Sequence, residues 1–156
     1  MSSRRPSFDL VYRNVTRTHQ AVPSQGIAVR VFRAALPYLK IPTGGVPEVA
    51  VTVIGARRMR TLNRKWRKVD KPTDVLAFPL FPATPKGYTH ISLGDVFVCP
   101  EVVRAKAKAA GNTYRHQMQW TLAHGFLHLA GYDHERSAAA AKRMRSAEEA
   151  ILEHVN

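Results

Sequence analysis

The stretch HGFLHLAGYDH, residues 124–134, places three of the chain's seven histidines within eleven positions. In an α-helix, His124 and His128 stand about 40° apart around the axis and about 6 Å apart along it. Their imidazoles can therefore reach one common point. Gly131 can adopt the left-handed conformation that ends a helix and turns the chain back, so His134 is predicted to reach the same point.

Three imidazoles at this spacing predict a metal site. Neutral histidine nitrogen atoms bind zinc, nickel and other late transition metals. Three protein ligands leave the fourth position of a tetrahedral ion to water, whose pKa falls to about 7, while the ion polarises a phosphoryl or carbonyl oxygen. We therefore predict one zinc ion per chain, with another late transition metal as the alternative, on His124, His128 and His134. His124 is also predicted to be catalytic.

The motif lacks a glutamate that the same spacing carries elsewhere. HxxxHxxGxxH is also the ligand spacing of the metzincin proteases, in which a glutamate directly after the first histidine is the general base. Gly125 occupies that position here, so a peptidase would have no evident proton acceptor. Peptides and small phosphoesters are therefore only weaker alternative substrates.

Strand patterns alternate with helix patterns along the chain. Predicted strands cover residues 8–15, 48–54, 75–78 and 92–99. Predicted helices cover residues 27–39, 56–66, 100–111, 113–130 and 137–154. Pro37 is expected to distort the last turn of the first, and Asn112 is the predicted cap of the fourth. This order predicts an α+β or α/β sandwich with a mixed, mainly parallel sheet covered by helices. The length suits a single domain over residues 1–156, with a metal cleft at the histidine helix and the turn after it.

The charge predicts a polyanionic partner. The formal net charge is +13, from 24 Lys and Arg against 11 Asp and Glu. Nucleic acid is the first candidate for such an excess, and an anionic membrane is the second. No apolar run approaches the length of a membrane span or a signal segment, and the single cysteine cannot form an intrachain disulfide. We therefore expect a cytoplasmic protein that binds RNA and no membrane.

The cations are concentrated between residues 57 and 71. This segment holds eight Lys and Arg, and Asp70 is its one acid. Such a concentration predicts a diffuse track for RNA phosphates, although several of these side chains must simply face water. The predicted RNA-binding residues are Arg57, Arg58, Arg60, Arg64, Lys65 and Lys68.

Three separated segments resemble the YbeY family of metal-dependent endoribonucleases of bacterial ribosomal-RNA maturation. They are LNRKWRKVDKPTDVLAFP (62–79), LGDVFVC (93–99) and HGFLHLAGYDH (124–134), in the family's order. The resemblance extends from about residue 8 to the C-terminus. It implies a mixed sheet with helices around a metal cleft, and zinc on the three histidines.

The resemblance also implies a function. It predicts a single-strand-specific endoribonuclease that acts in small-subunit rRNA 3′-end processing and in ribosome quality control, with ribosome-associated proteins as further partners. The nucleophile is either metal-bound water or the 2′-hydroxyl of the RNA. The alternative is a non-catalytic ribosome-assembly or RNA-binding factor with a structural metal. Three ligands favour the enzyme, since structural zinc usually takes four.

We predict roles for three more residues that lie in the segments that resemble the family. The family's functional arginine matches Arg67, whose guanidinium can give a phosphodiester two parallel hydrogen bonds; otherwise it is one more solvated cation. Asp133 either accepts a hydrogen bond from the ring N–H of a metal ligand, and so orients that ring, or caps the turn. Ala77 replaces the family's serine in a strand that reads as buried, which predicts a change of packing.

Overall fold

The computed structural model describes residues 7–17, 22–81 and 86–156. The strands are β1 Asp9–Asn14, β2 Val46–Val53, β3 Val75–Pro79 and β4 His90–Val98. The helices are α1 Gln25–Ala35, α2 Ala56–Arg67, α3 Pro100–Ala110, α4 Tyr114–Leu129 and α5 Ala138–Val155. All predicted elements are present, and their ends differ from the predicted ends by at most a few residues.

The strands form one mixed sheet in the order β1-β2-β4-β3. The β1–β2 and β2–β4 pairs are parallel, and β3 is antiparallel to β4. One face carries the main core, to which α1, α3, α4 and α5 contribute buried side chains, while Met59 of α2 packs on the other face with Ile54, Leu76 and Cys99. The predicted mixed, mainly parallel sheet covered by helices is confirmed.

The distortion that Pro37 predicts at the end of the first helix is confirmed, and the predicted cap of α4 was wrong. Helix α1 stops at Ala35, and Leu36–Tyr38 forms a 3-10 turn, because Pro37 has no N–H for the helical ladder. The cap of α4 is Thr113, whose side chain accepts a hydrogen bond from the backbone N–H of His116. Asn112 instead donates its side-chain amide to Gln117 Oε1 at 3.3 Å.

One glycine lets β3 lie close against β4. Gly94 has φ +130° at an irregularity of the β2–β4 pairing, which shifts register between Glu48 and Val49. A Cβ there would lie 2.1 Å from the carbonyl oxygen of Phe78. Only glycine fits where the two strands approach so closely.

Helix α4 lies at the centre of the molecule. It contacts β3, β4, α1, α3 and α5, and its buried residues occur all around the helix axis. Phe126 anchors it, with its ring 5.0 Å from that of Phe32 in an edge-to-face contact. A site carried on α4 is therefore held by a rigid core. In the part of the chain that the structure describes, no helix is long and apolar enough to cross a bilayer.

Candidate metal centre

The structure brings the three predicted histidines together. His124 Nε2 and His128 Nε2 lie 3.0 Å apart, and one nitrogen from each of the three rings lies within 4.8 Å of the others. The His134 ring centroid is 5.1 Å from that of His124 and 5.3 Å from that of His128. His124, His128 and His134 therefore form one cluster of possible metal ligands.

The turn after α4 brings His134 back as the spacing predicts. Gly131 has φ +91°, in the left-handed region. Its N–H donates to the carbonyl of His128 at 3.1 Å, and Tyr132 N–H donates to the carbonyl of Leu127 at 3.2 Å. These bonds satisfy carbonyls at the helix end and fix the direction of the chain beyond it.

The environment keeps the imidazole of His128 in the form that binds metal. The pKa of His128 is lowered from 6.5 to about 4. Burial is the main cause, and the nearby rings of His124 and His134 contribute to the same shift. At neutral pH the His128 ring is therefore uncharged. Three imidazoles converging on one point fit a late transition metal, and fewer than four protein ligands leave such an ion accessible to substrate.

Glu148 of α5 fixes the orientation of His124. Its Oε1 lies 2.7 Å from His124 Nδ1, and its Oε2 accepts a hydrogen bond from Trp120 Nε1 at 2.9 Å. The carboxylate side chain is 7% exposed, and the Trp120 ring stacks on that of His124 at 4.9 Å. When Nδ1–H of His124 donates to this carboxylate, Nε2 keeps its lone pair for the metal point.

Glu148, rather than Asp133, is the carboxylate that orients a ligand. Asp133 Oδ1 accepts a hydrogen bond from the backbone N–H of Glu135 at 3.0 Å. This is the turn-capping alternative, and no described hydrogen bond joins Asp133 to an imidazole. An aspartate side chain is short, so in a turn it hydrogen-bonds to a backbone N–H two residues further on more readily than to a neighbouring ring.

Replacing Glu148 by glutamine tests this role. Glutamine keeps the size but has one acceptor oxygen for two N–H donors, so we expect Glu148→Gln to lower zinc affinity by about 10- to 100-fold. The measurement is a competition titration with a chelator. Glu149, the residue next to Glu148 in the chain, is exposed, so Glu149→Gln is the matched control. Equal zinc affinities for the two variants would contradict the orienting role.

Gly125, at the position where the metzincin motif carries its glutamate, faces the sheet. A Cβ built on Gly125 would lie 3.0 Å from both Val75 Cγ2 and Val96 Cγ1. A side chain there would enter the contact between α4 and strands β3 and β4, away from the imidazoles. In this fold the residue after the first histidine therefore serves packing and cannot act as the general base.

The imidazoles open into a cleft of about 360 Å³. Other residues lining it are Arg67, Asp74, Ala77, Lys106, Trp120 and Glu135. Ala77 is partly buried, packs against the main core and also lines the cleft. The predicted change of packing at this position stays a prediction.

Arg67 reaches the cleft from the end of α2. Its Nη2 lies 3.2 Å from Glu135 Oε1, and Glu135 Oε1 lies 3.9 Å from His134 Nε2. The carboxylate thus stands between the guanidinium and a metal-binding imidazole. Because the Arg67 and Glu135 side chains are 50% and 64% exposed, this ion pair is weak and a phosphate can replace the carboxylate.

The predicted phosphate track is exposed along α2 and just after it. Two of its members are already paired, because Arg60 donates two hydrogen bonds to Asp70 and Arg64 lies 3.7 Å from the same carboxylate. The hydrogen bond from Arg60 lowers the pKa of Asp70. Lys68 Nζ donates to the Lys65 carbonyl. Arg57 and Arg58 are exposed on the first turn of the helix. Their role in RNA binding stays a prediction.

The other histidines that the structure describes are not part of the three-imidazole cluster. His90 pairs with Glu48 at 3.0 Å and with Asp9 at 3.8 Å on the exposed start of the sheet. His154 donates from Nδ1 to the Ala150 carbonyl of its own helix, and His116 lies in the first turn of α4, where its backbone N–H donates to Thr113. His19, expected to be an ordinary histidine, lies outside the described residues.

The fold and the cleft together define an α+β protein with a candidate metal site at the floor of an open cleft. A model of the family described as "Endoribonuclease YbeY" matches residues 13–156. The chain belongs to this family, which confirms the resemblance.

Individual relatives agree with the family match. The endoribonuclease YbeY of Persephonella marina is 41% identical over 108 residues, which is 69% of this chain and 70% of that protein. The one from Azorhizobium caulinodans is 42% identical over 128 residues, 81% of this chain and 78% of its own. The solution structure of TM1509 from Thermotoga maritima superposes with a TM-score of 0.59 at 26% identity, covering 94% of this chain and 88% of that one.

Proposed function

We propose that this protein is a zinc-dependent, single-strand-specific endoribonuclease that processes the 3′ end of small-subunit ribosomal RNA. One observation carries the proposal: a single cleft of about 360 Å³ holds three convergent imidazoles and Arg67. The relatives named above are endoribonucleases by name, which supports RNA as the substrate.

Different residues of the site would bind the metal, bind the phosphate and orient a metal ligand. His124, His128 and His134 would hold the ion, which supplies Lewis acidity and activates water when bound. Arg67 donates hydrogen bonds to the phosphate oxygens and neutralises the charge that grows as the fifth bond to phosphorus forms. Glu148 keeps His124 in the orientation that binds the ion.

An exposed aromatic residue supports the single-strand preference. Trp66 is 58% exposed on the basic helix α2, and Lys65 Nζ lies 5.1 Å above its ring. Unpaired bases can stack on such a ring while their phosphates meet the surrounding cations. Bases inside a duplex are already stacked and cannot use this surface.

The cellular setting follows from the same chemistry. The charge of +13 suits work on ribosomal RNA, and we propose a cytoplasmic role on the small subunit and its precursor, including ribosome quality control with ribosome-associated proteins. We also propose that residues 1–156 act as one domain. A structural metal without catalysis is disfavoured, since such sites usually have four protein ligands.

Cleavage of defined RNAs tests the proposal. We expect zinc-loaded protein to cut a precursor fragment carrying the small-subunit 3′ end, to leave a matched duplex intact, and to lose activity after metal removal until zinc is returned. Sequencing locates the cut, and the product ends show whether water or the 2′-hydroxyl attacked. Equal cutting of duplex RNA, or cutting that survives metal removal, would contradict the proposal. Binding without cleavage would support the assembly-factor alternative.

A further inference from the structure

Lys106 and Asp74 form an ion pair on the wall of the metal cleft. Lys106 Nζ lies 3.0 Å from Asp74 Oδ1, and both residues line the cleft that contains Arg67 and the imidazoles. Lys106 belongs to α3, and Asp74 directly precedes β3. The sequence motifs assign a function to neither residue.

The carboxylate of this pair is firmly held. The Asp74 side chain is 6% exposed, and it accepts hydrogen bonds from Thr121 Oγ1 at 3.3 Å and Thr73 Oγ1 at 3.2 Å. Its backbone carbonyl accepts a bond from Cys99 N–H at 2.8 Å. Hydrogen bonds therefore hold Asp74 to both α4 and the sheet.

The ammonium of this pair is available to a ligand. The Lys106 side chain is 48% exposed in the cleft wall, in contrast to the buried carboxylate beneath it. An ammonium has three N–H donors, and the bond to Asp74 uses one. Because Asp74 already restrains the long side chain, little conformational freedom remains to be lost when an anion binds.

We propose that Lys106 is a second phosphate-binding cation of the cleft, held in place by Asp74 and acting together with Arg67. This inference rests on the proposed endoribonuclease function. Arg67 and Lys106 come from different helices and face the same cleft. A strand of RNA carries a phosphate at every nucleotide, so one phosphate can meet Arg67 beside the metal while Lys106 holds the strand in register.

A double-mutant cycle separates direct contact from simple neutralisation of Asp74. The variants are Lys106→Gln, Asp74→Asn and the two combined. Binding of a short unstructured RNA is followed by fluorescence anisotropy over a range of salt concentrations, with thermal unfolding as the check on folding. The control is Lys108→Gln, an exposed lysine two residues along α3 that does not line the cleft.

Direct contact predicts a specific pattern. Lys106→Gln should weaken binding about tenfold and lower the slope of log affinity against log salt by about 0.7. The combined variant, which leaves no unpaired buried charge, should stay about tenfold weaker than Asp74→Asn alone. Lys108→Gln should bind like the wild type.

Two outcomes would overturn the inference. If the combined variant binds as tightly as Asp74→Asn, Lys106 acts only by neutralising the carboxylate. If Lys106→Gln binds as tightly as Lys108→Gln, it has no role in RNA binding. In both cases wild-type cleavage of single-stranded RNA still supports the proposed function. A wild type that neither binds nor cuts single-stranded RNA contradicts the proposed function itself.

Discussion

The variant His128→Ala is expected to lose the bound metal and at least about a thousandfold of the cleavage rate, because a metal ion supplies several kcal/mol of transition-state stabilisation. Its ring nitrogen lies 3.0 Å from that of His124, so removing it leaves only two of the three imidazoles at the metal point. The uncharged state of His128 also matters, since its lowered pKa of about 4 means that no proton has to leave this ring when metal binds at neutral pH.

Zinc content and cleavage should be measured on the same preparations. Mass spectrometry gives the metal per chain, and single-turnover cleavage gives the rate. His154→Ala is the matched control, because His154 is exposed on α5 and its ring bonds only to the Ala150 carbonyl in the described contacts. A His128→Ala protein that is folded, free of metal and fully active would exclude metal-dependent cleavage and place any activity in a contaminating nuclease.

Local rules explain why the histidine cluster could be predicted from the sequence. His124 and His128 are one turn apart on the same helix, and Gly131 determines the turn after it, so the geometry depends on eleven consecutive residues. The sheet could be predicted for a similar reason, since strand and helix periods are local. The mixed sheet was predicted, but the strand that runs antiparallel, β3, was not identified, because the direction of a strand depends on its tertiary pairing and not on its own residue pattern.

The groups that support the cluster could not be predicted, because they are long-range contacts. Glu148 meets His124 across 24 positions of sequence, and Lys106 meets Asp74 across 32. One signal for Glu148 was available: it is a carboxylate on the apolar stripe of α5, between the buried residues Met144 and Ile151. A buried acid needs a partner, and an imidazole of the metal site is a natural one.

The phosphate track shows a different limit. Composition predicts where cations concentrate along the chain, but not which of them are already neutralised. Asp70 occupies Arg60 and Arg64 at once, so the one acid in the segment removes part of the charge that the count suggests. Arg67, at the end of the same helix, faces the cleft instead, because α2 ends there and Lys68 turns the chain with φ +62°.

The variant Arg67→Ala is expected to reduce cleavage at saturating RNA by about a thousandfold while RNA binding weakens only about tenfold. The difference arises because a guanidinium contributes most when negative charge accumulates on the phosphate oxygens, which happens only in the transition state. The ion pair with Glu135 should not prevent this, since both side chains are at least half exposed and their attraction is screened by water.

Two further variants show whether geometry or charge matters. Arg67→Lys keeps the charge but loses the planar pair of donors, so it should recover binding and remain more than about tenfold slower than the wild type. Arg30→Ala, an exposed arginine of α1 that does not line the cleft, is the control for a lost surface cation. If Arg67→Ala and Arg30→Ala cleave at the same rate under saturating RNA, Arg67 is a solvated cation, and the charge at the phosphate must be neutralised by the metal and Lys106 alone.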